Sequence, residues 1–131
     1  MAISFLLPDE ASRSADEILS RVTRAGAIVP GTWPVEVGNS LLIQNRRGRL
    51  TTEAVDASLA RLAALDIEID LEIIGIGWRQ SMPLAVRHRL TLYDSVYLEL
   101  AIRRNLPLAT FDKALRRAAE AEHVALANPP A

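Results

Sequence analysis

The sequence predicts an α/β fold with a mostly parallel central sheet, and three observations favour that class. Strand-like and helix-like segments alternate along the chain. Between Leu90 and Leu115, an amphipathic helix is followed by a short apolar run and then an acid, which is typical of half a βαβ crossover. Half of the 131 residues are apolar. That is enough for the core of one domain, so we expect a single domain over residues 1–131.

The opening residues are almost wholly apolar. Met1–Leu7 ends at Pro8, and we predict a short buried helix that runs into a turn. A second helix follows over Ala15–Arg24 and ends at Gly26. Ala27–Pro30 is then the first candidate strand. Folds of this class normally begin with a central strand, so either a strand precedes the printed sequence or the sheet is built without it.

The middle of the chain predicts two helices and one strand. Thr32 can cap a helix that tolerates Pro34 in its first turn. Thr51 or Thr52 can begin the next helix. Ile67–Asp70 alternates apolar and acidic residues, which indicates a short strand.

The pattern between Leu71 and Leu90 is helical but interrupted. Gly75, Gly77 and Pro83 break it, because glycine weakens a helix and proline removes a backbone donor. We therefore predict a broken helix that restarts after Ser81.

A well-defined helix follows. Thr91 and Asp94 form a Thr-x-x-Asp capping box, and Asn105 suits the left-handed position after the helix. Glu99 and Arg103 lie four apart and predict a surface pair. The two tyrosines in the apolar stripe suit either the core or a base-stacking platform. That stripe consists of Tyr93, Val96, Tyr97, Leu100 and Ala101.

The end of the chain predicts a strand, a helix and a last strand. Leu106–Thr110 has strand length and is followed directly by Asp112. Ala114–Ala121 is helix-forming. His123–Leu126 predicts a final edge strand.

Composition excludes several kinds of protein. The net charge is -1, so nucleic acid would have to be held by local patches or by metal. There are no cysteines, which excludes disulfides and thiolate metal sites. No apolar run approaches the ~20 residues of a membrane-spanning helix, and signal-peptide features are missing. We therefore expect a cytoplasmic protein with no membrane partner.

Three acids stand at strand-to-helix transitions. Glu36, Asp94 and Asp112 should all lie at the carboxyl edge of a parallel sheet, where ligands collect. Each also has a structural explanation: charge placement near a helix N-terminus for Glu36, the capping box for Asp94 and an N-cap for Asp112. Taken together, the three acids would offer oxygen ligands without His or Cys. Such ligands suit Mg²⁺ or Mn²⁺ and indicate metal-dependent phosphate chemistry.

Basic residues cluster near helix ends. These clusters are either solvated helix termini or a rim that contacts phosphates. His88, between two arginines, suits solvent or a phosphate. The candidate RNA contacts are Arg46, Arg47, Arg87, Arg89, Lys113 and Arg116.

Four segments in order resemble PIN-domain ribonucleases, specifically the VapC-type toxins of toxin–antitoxin pairs. They are Leu6–Glu10, Val29–Asn39, Leu92–Tyr97 and Leu108–Lys113. The resemblance implies a three-layer α/β/α fold that cleaves RNA with Mg²⁺ or Mn²⁺. It also implies a cognate antitoxin whose amphipathic segment lies across apolar helices and reaches the acids.

The resemblance also implies roles for residues. Glu36, Asp94 and Asp112 would be the catalytic, metal-holding acids, with Asn39 and Thr110 as supporting polar groups. The family's opening strand and the aspartate that ends it have no visible counterpart. Loss of a central strand would expose two neighbouring strands, so we expect a homodimer and a weakened metal site. The alternative is a degenerate PIN-domain binding module that no longer cuts.

Overall fold

A four-stranded parallel sheet organises the chain. The computed structural model describes residues 2–3, 13–72 and 77–127. Within them, the strand order is β3-β2-β1-β4 and every strand pair is parallel. The strands are β1 (Ala2–Ile3), β2 (Ala27–Pro30), β3 (Ile67–Asp70) and β4 (Leu108–Ala109).

Helices connect the strands. The predicted restart after Ser81 is confirmed, because a π-helical turn over Gly77–Ser81 leads directly into the next α-helix. Gly75 lies outside the described residues. The helices are α1 (Arg13–Ala25), α2 (Trp33–Arg46), α3 (Thr52–Ala63), α4 (Met82–His88), α5 (Leu92–Arg104) and α6 (Lys113–Ala121).

Local capping signals place several helix ends. The Thr51 and Thr91 hydroxyls and the Asp112 carboxylate each accept a backbone N–H three residues on, as N-caps do. Asn105 ends α5 with φ of 51°, the left-handed position predicted for it. Thr32 precedes α2, but its side chain makes no capping bond.

The opening of the chain differs from the prediction. Ala2 and Ile3 form a central strand, with Ala2 opposite Ile28 of β2 and Leu108 of β4. The helix predicted over Met1–Leu7 is therefore wrong for Ala2 and Ile3, and its other residues lie outside the described residues. The expected absence of the first strand is wrong as well. A short apolar run fits a buried strand as well as a buried helix, and only sheet pairing separates them.

The core lies between the sheet and the helices that pack on it. Val29, Leu98, Leu108 and Leu115 are fully buried, so β2, α5, β4 and α6 share one apolar cluster. The predicted last strand is wrong in extent. His123–Leu126 contributes only a parallel bridge from Leu126 to Leu108. Along the described part of the chain, no helix has the length and apolar character needed to cross a membrane.

Candidate metal centre

Parallel topology brings the three predicted acids to one edge of the sheet. Glu36 lies in the first turn of α2, after β2, and Asp112 caps α6, after β4. Asp94 lies in the first turn of α5, the crossover helix that leads into β4. Glu36 and Asp94 are half-buried, whereas Asp112 is exposed.

The charges of Asp112 and Asp94 each affect the pKa of another of the three acids. Burial is the largest cause that raises the pKa of Asp94, and the Asp112 charge raises it further. Burial likewise raises the pKa of Glu36, and the Asp94 charge adds to this. Hydroxyl groups oppose these shifts: Thr91 at Asp94, and Thr32 and Tyr97 at Glu36. Asp94 is therefore the middle member of a charged series Glu36–Asp94–Asp112.

A buried tyrosine holds Glu36. Tyr97 Oη donates to Glu36 Oε1 over 3.2 Å, and the Tyr97 side chain is 1% exposed. Burial, followed by the Glu36 charge, strongly raises the pKa of Tyr97, so the phenol stays protonated as the donor. Thr32 Oγ1 is also near Glu36, but its geometry does not satisfy a hydrogen bond.

The two tyrosines, which the sequence places in one apolar stripe, differ in burial. Tyr97 belongs to the core, as predicted, whereas Tyr93 is 65% exposed. The apolar stripe predicted for α5 is therefore wrong at Tyr93.

Main-chain contacts fix Asp112 and Thr110. Asp112 Oδ2 accepts from the Leu115 backbone N–H over 2.8 Å, while the Asp112 N–H donates to Thr110 Oγ1 over 3.1 Å. The cap uses one of the two Asp112 carboxylate oxygens. Thr110 is buried, and its carbonyl accepts from Arg116 Nη1 over 2.9 Å. Thr110 therefore supports the turn that carries Asp112.

The acids do not form a closed cage. Among the described residues, no three His, Cys, Asp or Glu side chains gather closely enough to hold a metal ion. Asp94 instead interacts electrostatically with Glu36 and with Asp112 in two separate pairs. Asn39, the other predicted supporting residue, is exposed on α2 three residues after Glu36.

The predicted RNA-contacting residues lie in different surroundings. Arg46 and Arg47 are exposed at the end of α2, and Arg89 is exposed in a left-handed conformation after α4. Lys113 is exposed at the start of α6, next to Asp112. Arg87 and His88 both bind Glu122 Oε1, at 2.5 and 2.8 Å. His88 is therefore paired with an acid.

A second charged cluster lies around Arg103. Its guanidinium contacts Glu99 at 2.8 Å and Asp70 at 2.6 Å, and both carboxylates are buried. The predicted Glu99–Arg103 pair exists, but the prediction of a surface pair is wrong. Asp70, at the end of β3, was missed because 33 residues separate it from Arg103. Alternation of acidic and apolar residues in β3 gave no signal for this contact.

The fold is that of a known class. The PIN-domain family model matches residues 1–121, so the chain belongs to the PIN-domain family, whose fold is a three-layer α/β/α sandwich. The chain is 30% identical over 118 residues to Ribonuclease VapC3 of Mycobacterium tuberculosis, from strains CDC 1551 / Oshkosh and ATCC 25618 / H37Rv. The match covers 88% of this chain and 83% of each relative. The resemblance to VapC-type ribonucleases is confirmed.

Proposed function

We propose that this chain is a Mg²⁺- or Mn²⁺-dependent endoribonuclease of the VapC toxin type, which hydrolyses phosphodiester bonds in RNA. The observation that carries the proposal is the charged series Glu36–Asp94–Asp112 at the carboxyl edge of the sheet. Membership of the PIN-domain family and the similarity to a ribonuclease support it.

The donor chemistry of the three acids fits a hard divalent cation. Their carboxylate oxygens are the ligands that Mg²⁺ and Mn²⁺ prefer. Burial, and to a lesser extent repulsion between the acids, raises the pKa of Glu36 and of Asp94, and a cation among them would relieve that repulsion. Glu36, Asp94 and Asp112 would hold the ion, directly or through water. A bound ion would supply polarisation of the phosphoryl group and activation of water.

Basic groups of the chain would hold the RNA backbone. Lys113 and Arg116 follow Asp112 on α6, so they lie nearest to the acids along the chain. Arg and Lys contacts to phosphate supply most non-specific affinity for nucleic acids. Arg87 already forms an ion pair with Glu122, so it would contribute less to RNA binding. Arg46, Arg47 and Arg89 would extend the contact away from the acids.

Metal removal tests the proposed activity. We expect the purified full chain to cleave RNA when Mg²⁺ or Mn²⁺ is added, to stop when EDTA is added, and to resume with excess Mn²⁺. A metal-binding site made of carboxylates should lose its ion to a chelator, whereas a contaminating metal-independent nuclease would continue. Cleavage that persists in EDTA, or that neither metal supports, would overturn the proposal.

A second candidate is a PIN-domain module that binds a partner and does not cut. The observation that favours it is the lack of a ready-made three-ligand group among the described residues. Such a module would bind RNA or protein with no product formed in either metal, so the same assay separates the two candidates.

The partners belong to the proposal as well. A cognate antitoxin is expected, and an apolar groove of 300 Å³ lined by Trp33, Leu62 and Ile69 could receive its amphipathic segment. The homodimer stays a prediction, but the missing central strand that motivated it is not missing, because β1 lies between β2 and β4. The cytoplasmic location and the single domain over residues 1–131 also stay predictions.

A further inference from the structure

The two tyrosines of the chain lie one helical turn apart on α5 but have opposite surroundings. Tyr93 is 65% exposed, whereas Tyr97 is 1% exposed. A buried phenol must find a hydrogen-bond partner, because an unpaired buried hydroxyl costs free energy. For Tyr97 that partner is Glu36 Oε1, at 3.2 Å. The core could have taken a phenylalanine here without this requirement.

The bond joins two elements that each carry a candidate metal-holding acid. Glu36 lies in the first turn of α2, and Tyr97 lies on α5 three residues after Asp94. Residues three apart on a helix are neighbours on its surface. Tyr97 therefore fixes Glu36 relative to the helix that carries Asp94. It does so through a contact that spans 61 residues of sequence.

A hydrogen bond to one carboxylate oxygen also limits how the carboxylate rotates. A free Glu side chain has several rotatable bonds, and fixing them costs entropy when a ligand binds. The Tyr97 hydroxyl is held in place by the core and already restricts the Glu36 side chain in the folded protein. Less side-chain entropy is therefore lost when a cation binds. Support of this kind for a metal ligand commonly changes metal affinity by about 10–100-fold.

We propose that Tyr97 is a positioning residue that orients the Glu36 carboxylate for a divalent cation shared with Asp94. The inference rests on the proposed function, since it assumes that the acids hold a metal ion. Tyr97 does not contact the RNA or the reacting atoms in this account. It acts through Glu36.

Tyr97→Phe removes the hydroxyl and keeps the ring that fills the core. We expect Mn²⁺ affinity, measured by electron paramagnetic resonance on the full chain, to fall about tenfold. In RNA cleavage, kcat should fall while the KM for RNA stays unchanged, because RNA is held elsewhere. Tyr93→Phe, on the same helix, is the matched control and should leave all three quantities unchanged.

A second variant tests the same contact from the side of Glu36. Glu36→Asp retains the charge but shortens the side chain by one methylene, which draws the carboxylate away from Tyr97 Oη. It should also weaken Mn²⁺ binding, and Tyr97→Phe should then weaken it further by much less than tenfold, because the two changes remove one contact. Full additivity of the two effects would overturn the inference.

The outcomes separate this inference from the proposed function. If wild-type chain binds Mn²⁺ and Tyr97→Phe binds it equally well, the role of Tyr97 is overturned and the metal site stands. If the wild type binds no Mn²⁺, both are overturned. A kcat loss in Tyr97→Phe with unchanged Mn²⁺ affinity would also contradict a role through metal positioning.

Discussion

Asp94→Asn should reduce metal-dependent RNA cleavage by more than about a hundredfold, because a direct ligand should matter more than the residues that support it. Asp94 interacts with both other acids, so its loss divides the series into two separate carboxylates. Cleavage by the variant and the wild type would be compared at equal Mn²⁺. Asp56→Asn, at an exposed acid of α3, is the control and should cleave normally.

The same substitution should not unfold the protein. Burial and Asp112 raise the pKa of Asp94 in the folded state, so the charged form is disfavoured there. The contribution of this acid to stability is fully present below its unfolded pKa and is lost as pH rises through the higher pKa of the folded state. At neutral pH, metal-free Asp94→Asn should therefore melt at or slightly above the wild-type temperature. Unchanged cleavage would remove Asp94 from the mechanism, and a large loss of stability would make reduced cleavage uninformative about catalysis.

The largest effect on stability is expected at Arg103. Arg103→Met should lower the free energy of unfolding by about 3–5 kcal/mol, because breaking a buried ion pair leaves its partners uncompensated. Those partners, Asp70 and Glu99, are 6% and 7% exposed. Together they raise the pKa of the Arg103 guanidinium, so it stays charged. Urea unfolding measured at neutral pH gives the difference.

Arg104→Met is the matched control for Arg103. Arg104 is the next residue on α5 and carries the same charge, but its contacts to Glu68 and Asp70 are longer, at 3.6 and 3.9 Å. Its side chain is also more exposed, so we expect a loss below about 1 kcal/mol. Equal losses in the two variants would show that the cluster contributes general charge balance and not specific buried pairs.

The sequence predicted the structure well where the structure depends on neighbouring residues. Thr91, Asn105 and Asp112 stand at helix ends as predicted, because a capping bond spans only a few residues. The strands over Ala27–Pro30 and Ile67–Asp70 have their predicted bounds. Their runs are short, and clear helix signals flank them.

Predictions failed where distant parts of the chain decide the outcome. Ala2–Ile3 is a strand because β2 and β4 lie on either side of it, and local apolarity does not contain that information. Glu99 and Asp70 can both be buried because the Arg103 guanidinium forms an ion pair with each carboxylate. Helical spacing alone could not separate Tyr93, which is exposed, from Tyr97, which is buried.

The candidate site follows the same division. Chain order placed Glu36, Asp94 and Asp112 at one sheet edge, since parallel strands end on the same side. The contact between Tyr97 and Glu36 could not be predicted, because it depends on how α2 and α5 pack. The electrostatic order, with Asp94 in the middle, likewise depends on tertiary structure.

Calorimetric titration of the metal-free full chain with Mn²⁺ tests most directly whether Glu36, Asp94 and Asp112 act as one cation site. The account predicts saturable binding in the wild type that weakens when any one of the three acids is replaced by its amide. No heat of binding at millimolar Mn²⁺, or binding that survives all three replacements, would contradict it.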